Sequence, residues 1–158
     1  MNEDVDFLRK HKTKGALIDA NLLLVYIVGK ADPRMLKRNH HTKQYESDFP
    51  LVKRVVEHFR TIYTTPNIVT EVSNLGQDLK EVFFSRLALV INNIEEQYCS
   101  SKEAATDPCF RKLGLTDAGI AHLAAGRLVV TADLALYQSL RKRQIEAVNF
   151  NHIRFSAW

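Results

Sequence analysis

The chain is poor in cysteine: Cys99 and Cys109 are the only two among 158 residues. Two thiols alone make no metal site, and a chain of this length buries enough core to fold without a disulfide staple. They read as free thiols of a reducing compartment, the cytoplasm. Long apolar runs are lacking too. The longest, LIDANLLLVYIV at residues 17–28, is interrupted by Asp19 and Asn21. It falls short of the roughly 20 residues that span a bilayer, so no membrane association is expected. The opening MNEDVDFLRKHKTKG is polar and partly acidic, unlike a signal peptide. Internal repeats, low-complexity tracts and linkers are also missing, so residues 1–158 read as one domain.

What is present is the composition of a globular protein, 46% apolar and 25% charged. The net charge of +4 favours polyanionic partners such as nucleic acid without singling one out. In a basic chain, an acidic site points to metal bound against phosphate.

The hydrophobic pattern sets short apolar strands between helices. A strand over Gly15–Ile18 ends at Asp19. A helix over Ala20–Val28 follows, apolar nearly all round and closed by Gly29. Residues 29–50 hold two prolines and many charges and read as a long basic loop insertion, with one helical turn near Arg34–Arg38. Asp48 caps the next helix, with Pro50 in its first turn and a stripe of Leu51, Val52, Val55, Val56 and Phe59. A strand over Ile62–Thr65 leads to a helix that buries Ile68, Val69, Val72 and Leu75 and carries Glu71. Asp78 caps a longer helix that reaches Ile94. Ser100 and Glu103 have capping-box spacing and open a short helix near Ala104–Lys112. The helical stretch LTDAGIAHLA, a strand over Arg127–Thr131, a helix over Leu134–Arg143 and a strand over Ile145–Phe150 complete the chain. The order β-α-α-β-α-α-α-α-β-α-β predicts an α/β domain, a parallel sheet covered on both faces.

Four acids occupy similar places in this order. Asp19 follows the first strand, and Glu71 lies in the second turn of the helix after the second strand. Asp117 opens the helix before the third strand, and Asp133 follows that strand. Taken singly, each has an ordinary explanation: Asp at a strand-to-helix junction caps free N–H groups, and Glu71 is a solvated helix residue. Taken together they differ from caps. Each sits in apolar sequence (LI-D-AN-LLLV, NIVT-E-VSNL, GLT-D-AGIA, VVTA-D-LAL) with no basic residue within three positions. Parallel sheets bind ligands beyond the carboxyl ends of their strands, which is where Asp19 and Asp133 converge if their strands are neighbours. Carboxylates gathered on an apolar rim repel one another unless a cation lies between them. Oxygen ligands select hard cations, Mg²⁺ or Mn²⁺. The chemistry expected of such a site is hydrolysis of a nucleic-acid backbone by metal-activated water.

Strand-Asp-x-Asn-helix, a mid-chain helix Glu, a Thr-Asp helix start and a closing strand-Thr-x-Asp together resemble the PIN-domain family of metal-dependent ribonucleases, over about Ala16 to Phe150. The resemblance implies a single three-layer domain with a central parallel sheet of about four or five strands, and an acidic pocket for Mg²⁺ or Mn²⁺. It implies that Asp19, Glu71, Asp117 and Asp133 are catalytic and metal-binding, with Asp19 the foremost ligand. Asn21, Thr116 and Thr131 would orient carboxylates or the scissile phosphate, and Asn149 and Asn151 resemble a late Asn of some members. The partners implied are RNA, an antitoxin protein that blocks the pocket, and a second copy of the chain. Two departures stand out: residues 29–50 lengthen the segment before Glu71, and Ala135 stands where some members have a further acid.

Arg34, Lys37, Arg38 and Lys43 make the loop a candidate grip on RNA phosphates, or else a solvated surface. His40-His41 lacks ligand spacing, and Arg141–Arg143 suits a helix C-terminus. Two other functions fit parts of the pattern. One is a non-catalytic RNA-binding or adaptor module. The other is an aspartyl-nucleophile phosphatase built on Asp19, which would want an acid where Asn21 stands.

Overall fold

The computed structural model describes residues 2–156. Helix α1 (Glu3–His11) leads into strand β1 (Ala16–Ile18), and α2 (Ala20–Ala31) follows after the single residue Asp19. Two 3₁₀ turns, Pro33–Met35 and Lys43–Tyr45, lie between α2 and α3 (Phe49–His58). Then come β2 (Ile62–Thr64), α4 (Pro66–Gly76), a 3₁₀ turn at Gln77–Leu79, α5 (Lys80–Ile91) and β3 (Glu95–Glu96). Three short helices follow, α6 (Ser101–Ala104), α7 (Phe110–Leu113) and α8 (Leu115–Leu123). The chain ends in β4 (Leu128–Thr131), α9 (Leu134–Lys142), β5 (Ala147–Asn149) and α10 (Phe150–Ile153).

The five strands form one parallel sheet in the order β3-β2-β1-β4-β5, flanked by helices. The expected α/β domain with a parallel sheet is therefore present, at the upper end of the expected strand count. Strands β1, β4 and β5 are buried throughout, which is why their sequences run apolar instead of alternating. Helix α2 buries Leu22, Leu23, Leu24, Val25, Ile27 and Val28, and packs against α3, α4 and α5.

Several local expectations are corrected. Helix α1 was not expected from the polar opening. It forms because the Asn2 side chain accepts from the Asp4 N–H at 3.1 Å, acids fill its first turn, bases its last, and Leu8 is fully buried. Strand β3 was not expected either, since two exposed glutamates carry no apolar signal; it is held by pairing Glu95 with Tyr63 and Glu96 with Thr64. Gly29 does not end its helix. It lies within α2, where a Cβ would come within 2.1 Å of the Phe49 ring, so the glycine serves close packing. Residues 29–50 are a packed segment, with Met35, Leu36, Asn39, Thr42 and Tyr45 all buried. Asn39 Nδ2 donates to the Leu75 carbonyl at 2.8 Å and to Asp78 Oδ1 at 2.7 Å. Asp78 is thereby drawn away from capping, and α5 starts without a side-chain cap. Asp48 sits at the start of α3 without capping it, because its carboxylate takes Arg154 instead. The capping box at Ser100 and Glu103 is present, but the helix it opens stops at Ala104, and Asp107-Pro108 separates it from α7.

Candidate active site at the carboxyl edge

Strand β1 is central. The chain steps outward from it to β2 and β3 on one side, and to β4 and β5 on the other. The direction reverses between β1 and β4, which opens a crevice at their carboxyl ends. Ile18 is paired with Val130, so the residues that follow the two strands meet there.

Asp19 is the fixed point of this edge. Its N–H donates to the Val130 carbonyl at 3.0 Å, and its Oδ1 caps α2 by accepting from the Leu22 N–H at 2.9 Å. Its Oδ2 accepts from the Ala132 N–H at 2.8 Å and from the Thr131 hydroxyl. The same hydroxyl accepts from the Asp133 N–H at 2.9 Å. Thr131 thus joins the ends of both strands. Asp19 is only 5% exposed, and burial pushes its carboxyl above the usual range. The three bonds to its oxygens pull the other way, and the Asp133 charge adds to the rise.

Asp133 caps α9, its Oδ1 accepting from the Leu136 N–H at 3.0 Å, and its residue is exposed. Asp117 does not cap. The residue before α8 is Gly114, with φ of 87°, and no side chain caps this helix start. Asp117 stands inside the first turn, partly buried, and accepts no hydrogen bond from any described residue. Its carboxyl is pushed up to about 7, first by burial and then by the charges of Asp133, Asp19 and Glu71. All four expected acids therefore share one electrostatic neighbourhood. Beside them, Ala118 and Gly119 are buried, and a Cβ on Gly119 would meet nothing within 4 Å, so small residues leave room at this helix start.

The remaining expected residues are placed less closely. Asn21 is exposed and Thr116 partly so, and neither side chain bonds a described residue. Asn149 caps α10 by accepting from the Asn151 N–H at 2.9 Å. Arg34 is spent on Asp32, with Nη2 to Oδ2 at 2.8 Å and Nε to both oxygens at 3.1 Å. Lys37, Arg38 and Lys43 point to solvent.

Two residues that the sequence did not single out, Tyr45 and Arg154, also reach the edge, together with Asn151. Tyr45 is buried, and its phenol is pushed up by burial and by the Asp19 charge. Asn151 Nδ2 donates to the Ala132 carbonyl at 3.3 Å, and Arg154 Nη1 donates to Asn151 Oδ1 at 3.2 Å. Arg154 also pairs with Asp48 and lies 5.9 Å over the Tyr45 ring. An aromatic residue inside a charged segment, and an Asn three residues before an Arg after the last strand, were the available signals.

The donors that gather here are carboxylates, which suits a hard divalent cation. Among the described residues, no three His, Cys, Asp or Glu side chains stand close enough together to hold a metal ion in this conformation. Set against known protein families, curated proteins and solved structures, the chain matches none. Among the described residues no helix is long and apolar enough to cross a membrane.

Proposed function

We propose that the protein is a Mg²⁺- or Mn²⁺-dependent endoribonuclease of the PIN type that hydrolyses RNA phosphodiester bonds. The observation that carries this reading is Asp117, a partly buried carboxyl at a topological switch point that accepts no hydrogen bond from a described residue and faces the charges of Asp133, Asp19 and Glu71. Asp19, Asp117, Asp133 and Glu71 would hold the cation, which when bound supplies an activated water and charge stabilisation at the phosphate. The Thr131 hydroxyl and the Ala132 N–H fix one oxygen of the Asp19 carboxylate, and the Leu22 N–H fixes the other. On this reading the protein works in the cytoplasm, and its protein partners are an antitoxin and a second copy of the chain.

The test uses a labelled single-stranded RNA of mixed sequence. Cleavage is expected with Mn²⁺ and none with EDTA. Asp19→Asn and Asp117→Asn are each expected to lower the rate by at least about 100-fold while remaining folded. Full activity in either purified variant overturns the proposal. One observation favours a second reading, a non-catalytic RNA-binding or adaptor module: among the described residues no three carboxylates stand within ligating range of one ion. That reading expects RNA binding without cleavage under every metal condition.

A further inference from the structure

A phosphodiester brings its own negative charge to an edge already crowded with carboxylates. The charges that act on Asp117 are all carboxylates, and the one that acts on Asp19 is Asp133. A polyanion at this edge needs a cationic side chain that is close, fixed and not in contact with those acids.

Arg154 has that position. Its Nη1 donates to Asn151 Oδ1 at 3.2 Å, Asn151 donates to the Ala132 carbonyl at 3.3 Å, and the Ala132 N–H donates to Asp19 Oδ2 at 2.8 Å. The guanidinium is therefore linked to the Asp19 carboxylate through two intervening residues. It has two further partners. Asp48 accepts from Nη2, and Tyr45 lies under the guanidinium, itself close enough to feel the Asp19, Arg154 and Asp48 charges. Asp48 and Tyr45 belong to the segment between α2 and α3, so this segment, together with α10, sets the guanidinium in place.

The Arg154 side chain keeps 28% exposure. A guanidinium has five N–H donors in a planar fork, and the described partners use one on each of two nitrogens. The remaining donors suit the paired oxygens of a phosphate.

The geometry points to Arg154 as a residue that grips a phosphate of RNA lying along the carboxylate edge, with Asp48, Tyr45 and Asn151 as its positioning residues. This rests on the nucleic-acid reading of the carboxylate edge. It assigns the grip to Arg154, which is bonded into the edge through Asn151, and not to Arg34, whose bonds go to its neighbour Asp32 and which stays 86% exposed.

Two measurements keep this inference apart from the nuclease reading. The first is fluorescence anisotropy of a labelled single-stranded oligoribonucleotide in Ca²⁺, over a range of KCl. The second is cleavage of the same oligonucleotide in Mn²⁺. Arg154→Gln is expected to weaken binding about tenfold. It should also reduce the slope of log affinity against log salt by about 1. In cleavage, KM should rise by a similar factor with little change in kcat. Arg154→Lys, which keeps the charge but loses the fork, should restore the salt slope and only part of the affinity. Asp48→Ala removes the acceptor that anchors Arg154 without removing a helix cap, and should weaken binding by less than Arg154→Gln. Thermal melts of all variants check that the fold is kept. Binding that follows Arg154 in the absence of any cleavage supports this inference and retires the nuclease reading. Cleavage and binding unaltered in folded Arg154→Gln overturn this inference and leave the nuclease reading standing. A protein that binds no RNA in either salt also overturns it.

Discussion

Asp117→Asn should make the protein more stable at neutral and alkaline pH. The carboxyl is raised from 3.8 to about 7 in the folded chain. In the unfolded chain it returns to about 3.9. Above pH 7 the folded state therefore carries a charge that is easier to hold when unfolded, and folding bears the difference. At about 1.4 kcal/mol for each pH unit, the full difference is about 4 kcal/mol. Asp117 is only partly buried, and water screens part of the repulsion, so about 2 kcal/mol is the working figure. For a chain of this size that is roughly 4–8 °C in Tm. Asparagine has nearly the same shape and carries no charge, and no described residue loses a hydrogen bond to the Asp117 carboxylate.

The sign sets the pH window. A carboxyl whose folded value is raised contributes its stability fully below the unfolded value, and loses it as pH rises through the folded one. The advantage of Asp117→Asn should thus be full above about pH 8 and shrink to a few tenths of a kcal/mol near pH 4. Urea denaturation in EDTA, followed by circular dichroism at both pH values, measures it without a cation to offset the repulsion. A variant no more stable than wild type at pH 8 refutes the reasoning. So does an advantage of equal size at pH 4, because that gain would come from something other than charge.

Two further perturbations test how the fold supports the edge. Asp107 is buried, accepts from Arg143 Nη1 at 2.8 Å and Nη2 at 3.0 Å, and accepts from the Cys109 N–H at 3.0 Å. Burial pushes its carboxyl up, but the hydrogen bonds from Arg143 and Cys109 outweigh it and hold it below the usual range. Asp107→Asn should cost about 2–3 kcal/mol at pH 7 in urea unfolding, and the contribution it removes should fade as pH falls below about 4. Gly29→Ala should destabilise by about 1–2 kcal/mol, because overpacking against Phe49 outweighs the better helix propensity of alanine. Adding Phe49→Leu should recover most of that loss in the same melt.

The sheet was legible because buried parallel strands write their burial directly into the sequence. LVVT at β4 and ALI at β1 are apolar in succession and stand before an acid, and both features follow from strands covered on both faces that open at one end. Strand β3 was not legible, because its two residues are exposed glutamates and only the pairing with Tyr63 and Thr64 makes them a strand. The segment between α2 and α3 misled for a related reason. Its charges face water, and the residues that pack it, Met35, Leu36, Asn39, Thr42 and Tyr45, follow neither a helical nor a strand period. Asp78 and Asp48 looked like caps from spacing alone. Asn39 and Arg154, 39 and 106 residues away, take their carboxylates, and no local pattern reports a partner that distant.

The surroundings of the four acids set which of them matters most. Asp19 follows a strand and precedes a buried helix, which made it the foremost ligand by resemblance. Its surroundings also give it a complete structural role: it caps α2 and ties β1 to the turn after β4 through Thr131 and Ala132. Asp133 caps α9, so it too has a structural reason to be acidic. Asp117 has none. It caps nothing, bonds no described residue and stands where burial and neighbouring carboxylates work against its charge. An asparagine or serine there would fold better on these terms alone. Local rules broken without a structural return are expected where function imposes them. The ordinary explanation that first suited Asp117, a helix cap, is the one that the geometry removes, and the functional reading of this edge therefore rests on Asp117 more than on Asp19.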